Sequence, residues 1–132
     1  MMIPCEVVVW YVLPMIRKEL AAELIHEHSM SQSEVARRFG LTEAAISQYI
    51  RKKRGDCSEI ELSSSYPVFM KHVKQSAARI ADEETVFENE VCRLCNIVRT
   101  SGLLAEIYEM HVGEPLSTCE NFGTSAGING RD

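Results

Sequence analysis

Residues 31–55 read SQSEVARRFGLTEAAISQYIRKKRG, and the spacing of their apolar side chains dictates two short helices folded across a tight turn. In Gln32–Phe39 the residues Val35, Ala36 and Phe39 share one helical face. Gly40 supplies the left-handed backbone that stops a helix and reverses the chain. Leu41 reads as a buried plug and Thr42 as the N-cap of a second helix, Glu43 to about Lys53. That helix turns Ala45, Ile46, Tyr49 and Ile50 inward. Glu43, Ala44, Ser47, Gln48 and Arg51 are left pointing out. The expected fold class is all-α, with an N-terminal helix-turn-helix and a C-terminal helical extension.

The outward row is short or polar at the helix start and basic at its end. Such a distribution suits the major groove, where the first residues of a reading helix reach base edges and later Lys and Arg meet phosphates. A Gln amide donates and accepts in one plane and matches adenine, so Gln48 is the expected base reader; Ser47 and the Ala44 methyl add smaller contacts. The run Arg51, Lys52, Lys53, Arg54 supplies backbone charge. With Gln32, Ser33, Thr42 and Glu43 these residues form the candidate set for double-stranded DNA. The plainer alternative for the basic run is a solvated helix end favoured by the macrodipole.

Ala36, Gly40, Leu41 and Ile46 stand at the spacing of the helix-turn-helix of Cro and repressor-type (XRE) regulators, and GLTEAAISQYIRKKRG resembles archaeal members of that family. The opening phrase PCEVVVWYVLPMIRKELAAEL is similar to the start of archaeal XRE-type transcriptional regulators, some of which append a ligand-sensing domain. The likeness covers residues 3–56 and, more weakly, the Cys-containing segment after residue 90. It implies sequence-specific DNA binding and transcriptional control, with no catalytic residue to carry over.

The whole chain of 132 residues carries 14 basic and 19 acidic residues, a formal net charge of −5. Its distribution reverses the objection to DNA. Within residues 29–55, six basic residues meet two acidic ones, whereas residues 59–132 hold six basic against twelve acidic. A basic face on an acidic body concentrates the field where phosphates dock. Val7–Leu13 lacks a basic leader and a cleavage site and is too short to span a bilayer, and an odd set of five cysteines fits a reducing compartment. No membrane partner is expected, and the expected location is the cytoplasm.

Pro4 and Pro14 each suit a helix start, giving two pieces at about 4–12 and 14–28. The run VVVWYV also fits a short strand, because β-branched and aromatic residues favour extended chain. In the second piece Leu13, Ile16, Leu20 and Leu24 form the packing stripe, with Glu19, Glu23 and Glu27 on the opposite side. His26 and His28 face apart and read as a helix end. Ser63–Ser65 reads as linker before a helix at about Pro67–Ala81, whose stripe is Val68, Val73, Ala77 and Ile80. Asp82 is expected to cap the next helix, with Glu83 and Glu84 in its first turn and Val86, Val91, Leu94, Ile97 and Val98 as its stripe. Leu103–Val112 follows. The domain reading is therefore 1–58 for DNA, 59–112 for homodimerisation and sensing through paired helices, and 113–132 as a flexible tail.

Cys92-Arg-Leu-Cys95 puts two thiolates within reach of one metal. Zinc or an iron–sulfur cluster requires further ligands, for which Cys119 is the leading candidate beside Cys5, Cys57 and His111. The resembled family carries a further cysteine just after the GLL step, where this chain has Ala105. A redox pair and simple buried thiols are the other readings, so no cofactor is required. The chain shows no glycine-rich phosphate loop, no HExxH and no serine nucleophile elbow, and it is not expected to be an enzyme. The competing class is a protein-interaction or RNA-associated module that uses a helix-turn-helix as scaffold.

Overall fold

The computed structural model describes residues 3–51 and 59–113, and within these every regular element is helical. Pro4–Val7 (α1), a π turn at Val8–Val12 and Leu13–Glu27 (α2) follow one another with right-handed backbone at every junction. Two separate pieces, and the strand alternative for VVVWYV, are thereby replaced by one continuous helical rod. Pro14 has no N–H for the Trp10 carbonyl, and its ring crowds that oxygen. Widening the turn before it relieves the crowding, and the Leu13 N–H donates to the Val8 carbonyl five residues back.

The remaining elements are α3 (Gln32–Phe39), α4 (Glu43–Ile50), a 3-10 turn at Ile60–Leu62, α5 (Tyr66–Ala81), α6 (Phe87–Thr100) and α7 (Leu103–Val112). Of these, α3–α6 surround α2, which packs most extensively on α5, while α7 packs on α6, α1 and the π turn. Met15, Ile16, Leu20, Ala21 and Leu24 are fully enclosed as a result. This central position corrects the expectation that Glu19 and Glu23 line a solvent face. With α5 lying over that side, Glu19 pairs with Lys18 at 3.0 Å and accepts the Tyr66 hydroxyl, while Glu23 pairs with Lys74 at 3.0 Å. One hydrophobic core joins residues on both sides of position 58, from Val7 and Ile46 to Leu94 and Tyr108.

Asp82 does not cap α6. Its N–H closes α5 by donating to the Ala78 carbonyl at 2.9 Å, and Glu83 and Glu84 donate to Ile80 and Arg79 in the same turn. Closing the orphan carbonyls of α5 uses up the turn, so α6 begins only at Phe87 with Glu88 and Glu90 as its early acids. The stripe of α5 is also displaced: Phe69 is buried, whereas Val68 is half-exposed. The stripes of α5–α7 are largely spent inside the chain. None of the described helices is long and apolar enough to cross a membrane.

Gly40 sits at φ 68°, ψ 30°, and its N–H meets the Ala36 and Arg37 carbonyls. A Cβ there would touch nothing within 4 Å. The penalty for a side chain is thus conformational alone, and Gly40→Ala should lower unfolding free energy by about 1 kcal/mol in urea titration. An unchanged midpoint would mean that the turn relaxes.

Candidate nucleic-acid interface

Two hydroxyl caps fix where α3 and α4 begin. Ser31 Oγ accepts from the Glu34 N–H at 3.0 Å, and Thr42 Oγ1 accepts from the Ala45 N–H at 3.0 Å. Between them Gly40, Leu41 and Thr42 make the turn, with the Leu41 N–H bonded to the Ala36 carbonyl at 3.0 Å. Val35, Ala36 and Phe39 from α3 and Ala45, Ile46 and Tyr49 from α4 are buried, and Ile50 is half-buried. Inward residues on both helices thus follow the sequence expectation.

On the opposite side of α4, Glu43, Ala44 and Arg51 are exposed and Ser47 and Gln48 half-exposed. At the start of α3, Gln32 and Ser33 are exposed, and Thr42 remains exposed although its oxygen serves as a cap. Arg51 is the C-cap residue of α4. Lys52, Lys53 and Arg54 lie outside the described residues, as does the end of the helix expected to reach Lys53.

Sequence charge counts treat Arg37 and Arg38 as free, and here they are not. Glu34 holds both: its carboxylate pairs with Arg37 and accepts from Arg38 Nε at 2.7 Å. These guanidinium hydrogen bonds depress the Glu34 carboxyl to about 2, so it stays ionised at any ordinary pH. Arg38 also donates to the Ile80 carbonyl at 2.7 Å and approaches Glu83 at 3.5 Å. Together with the stack of Phe39 on Phe87, centroids 3.8 Å apart, this clamps α3 to the α5–α6 corner. Arg37 keeps an exposed side chain.

A cleft of about 360 Å³ beside the end of α4 is lined by Lys18, Glu19, His26, Tyr49, Glu61 and Tyr66 among others. Its charges are internally matched, since Lys18 reaches both Glu19 and Glu61 and Glu19 takes the Tyr66 hydroxyl. The cleft is a polar seam holding α2, α5 and the 3-10 turn together.

Cys92 and Cys95 lie one turn apart on α6, the first exposed and the second half-buried against the core. Among the described residues no group of three or more His, Cys, Asp or Glu side chains is placed to hold a metal. His111 instead stacks on Tyr11 with centroids 3.6 Å apart. Burial of its ring holds the His111 pKa below the ordinary value. Cys57 and Cys119, and with Cys119 nearly all of the expected tail, are outside the described residues.

The sequence reading missed one cluster. Glu90, 1% exposed, receives Ser76 Oγ at 2.7 Å and Arg93 Nε at 3.1 Å and pairs with Arg79 at 3.2 Å. Nothing in the local pattern of α6 marks this glutamate for burial, because its partners come largely from α5. No family model, curated protein or solved structure matches this chain.

Proposed function

We propose that the protein is a sequence-specific DNA-binding transcriptional regulator that acts as a homodimer and reads the major groove with α4. One observation carries the reading: the outward row of α4 is unspent. Among the described residues the side chains of Glu43, Ser47, Gln48 and Arg51 make no hydrogen bond or ion pair, although the helix is pinned on its other side by Ala45, Ile46 and Tyr49. A rigid helix with an uncommitted row of small, amide and basic side chains is what base-edge contact requires. In this reading Thr42 and the first turn of α3 would grip the phosphates, supported by a Thr42 hydroxyl proton still free to donate and by the exposure of Gln32 and Ser33. The reading needs no metal at Cys92 and Cys95.

Selection of bound duplexes from a random pool tests this directly, with the full chain as bait. A defined motif is expected. Gln48→Ala should then relax preference at one position, a loss of about 1–3 kcal/mol of discrimination. Joint Arg51→Ala and Lys53→Ala should weaken all sequences alike and flatten the salt dependence by about two units of log–log slope. Failure to enrich any duplex, or equal binding to single-stranded RNA, would overturn the proposal.

A further inference from the structure

Glu43 is the one acid in the outward row of α4. Glu34, the early acid of α3, is held by Arg37 and Arg38 one turn further on. The places one turn on from Glu43 are Ile46 and Ser47, neither of them a cation. The Glu43 side chain is exposed, and among the described residues it makes no hydrogen bond or ion pair. Nor is it needed as a cap, because Thr42 Oγ1 already accepts the Ala45 N–H at 3.0 Å. The helix dipole favours an acid in a first turn, which explains Glu43 on a helix facing water. On a helix facing DNA the balance changes. A free anion near the backbone repels the phosphates of every sequence, so a carboxylate in a reading row must be offset by a donor inside the groove.

We infer that Glu43 selects cytosine by accepting a hydrogen bond from its N4 amino group in the major groove. Resting on the α4 reading proposed above, this assignment adds a second base to it. An ionised carboxylate only accepts. Guanine presents two acceptors in that groove, and thymine an acceptor and a methyl group, so both refuse it. Amino donors are offered by cytosine and adenine. Adenine N6 stands beside the N7 acceptor, which repels a carboxylate, whereas the neighbour of cytosine N4 is a C–H group. Gln48 has the converse preference, since its amide donates to N7 while accepting from N6. The two residues are five positions apart on α4, about 7.5 Å along the axis, against about 3.4 Å between stacked base pairs. The cytosine therefore lies roughly two base pairs from the adenine, on the side met by the start of α4.

Selection from a random duplex pool, with the full chain as bait, separates this assignment from the reading it rests on. The wild-type chain should enrich an adenine whose preference is lost in Gln48→Ala, and a cytosine about two pairs away. Glu43→Gln keeps the length of the side chain and supplies a donor beside the acceptor. It should move that one position from cytosine to adenine and leave the others as they were. On fixed duplexes, a cytosine-over-adenine affinity ratio of roughly tenfold or more should fall below one. Glu43→Ala should leave the position undefined. Both substitutions fall at an exposed site, and the cooperative melt of each variant should match the wild type. A wild-type motif without this cytosine, or with one indifferent to Glu43→Gln, would overturn the inference while the α4 reading stands. So would a uniform gain in affinity for all sequences in Glu43→Gln, which would set the carboxylate against phosphates. A wild-type chain that enriches no duplex would overturn both.

Discussion

A chain cut after residue 58 is expected to lose cooperative folding, not merely its C-terminal half. From sequence, residues 1–58 look like a self-sufficient unit, but in the structure α2 has no solvent side to fall back on. Its largest partner is α5. Deletion would strip α5 and α6 from α2, whose Ile16, Leu20 and Leu24 are all 0% exposed in the fold, and would unstack Phe39 from Phe87. It would also leave Lys18, buried in the fold, without Glu61, and remove the Ile80 carbonyl from Arg38. Re-exposing even three large apolar side chains costs roughly 4.5–9 kcal/mol, at 1.5–3 each. That equals the whole stability of an ordinary domain. The shortened chain should show weak helical circular dichroism and no sigmoidal thermal transition, while the full chain melts cooperatively. A sharp melt of the 1–58 fragment would mean that α2 finds another cover and that the single core is two.

What could be read in advance follows from how far each signal reaches along the chain. The α3–turn–α4 unit was legible because its determinants are local. Gly40 stops one helix, Thr42 caps the next, and the apolar period of Val35 to Ile50 says which side faces in. The outward row of α4 follows from that same period, so the candidate site was largely readable. Glu19 and Glu23 were misread because their surroundings depend on which distant helix lies over α2, and α5 arrives from more than forty residues away. The sequence Asp82-Glu83-Glu84 suits a helix start and a helix stop equally well. The tie was broken by the α5 carbonyls that needed donors. Charge counting failed in a similar way, since Arg37 and Arg38 look available for phosphate until Glu34 and the Ile80 carbonyl are found beside them.

Glu90 offers the other large effect. Its carboxylate is nearly without solvent and binds Ser76, Arg93 and Arg79 at once, while Arg93 additionally donates to the His72 carbonyl at 3.2 Å. Burial pushes the Glu90 carboxyl up. Hydrogen bonds from Ser76 and Arg93, with the charges of Arg79 and Arg93, outweigh it and leave the group below the ordinary carboxylate value. Glu90→Ala removes the one anion of the cluster, leaves two guanidinium groups facing each other and opens a gap between α5 and α6, so a loss of about 3 kcal/mol is expected in urea unfolding. Glu90→Gln keeps the shape and some of the hydrogen bonds, and should cost less, about 1–2 kcal/mol. The pH dependence separates charge from packing. Because the folded-state pKa is depressed, the unfolded chain takes up the proton first as pH falls. The stabilisation is complete above the ordinary glutamate value and is lost as pH drops through the lowered one. Wild-type stability should therefore fall more steeply in that acid window than that of Glu90→Gln, and the two curves should converge at its lower end. Parallel curves would show that the Glu90 charge contributes nothing and that Ser76 and the methylene packing hold α5 to α6.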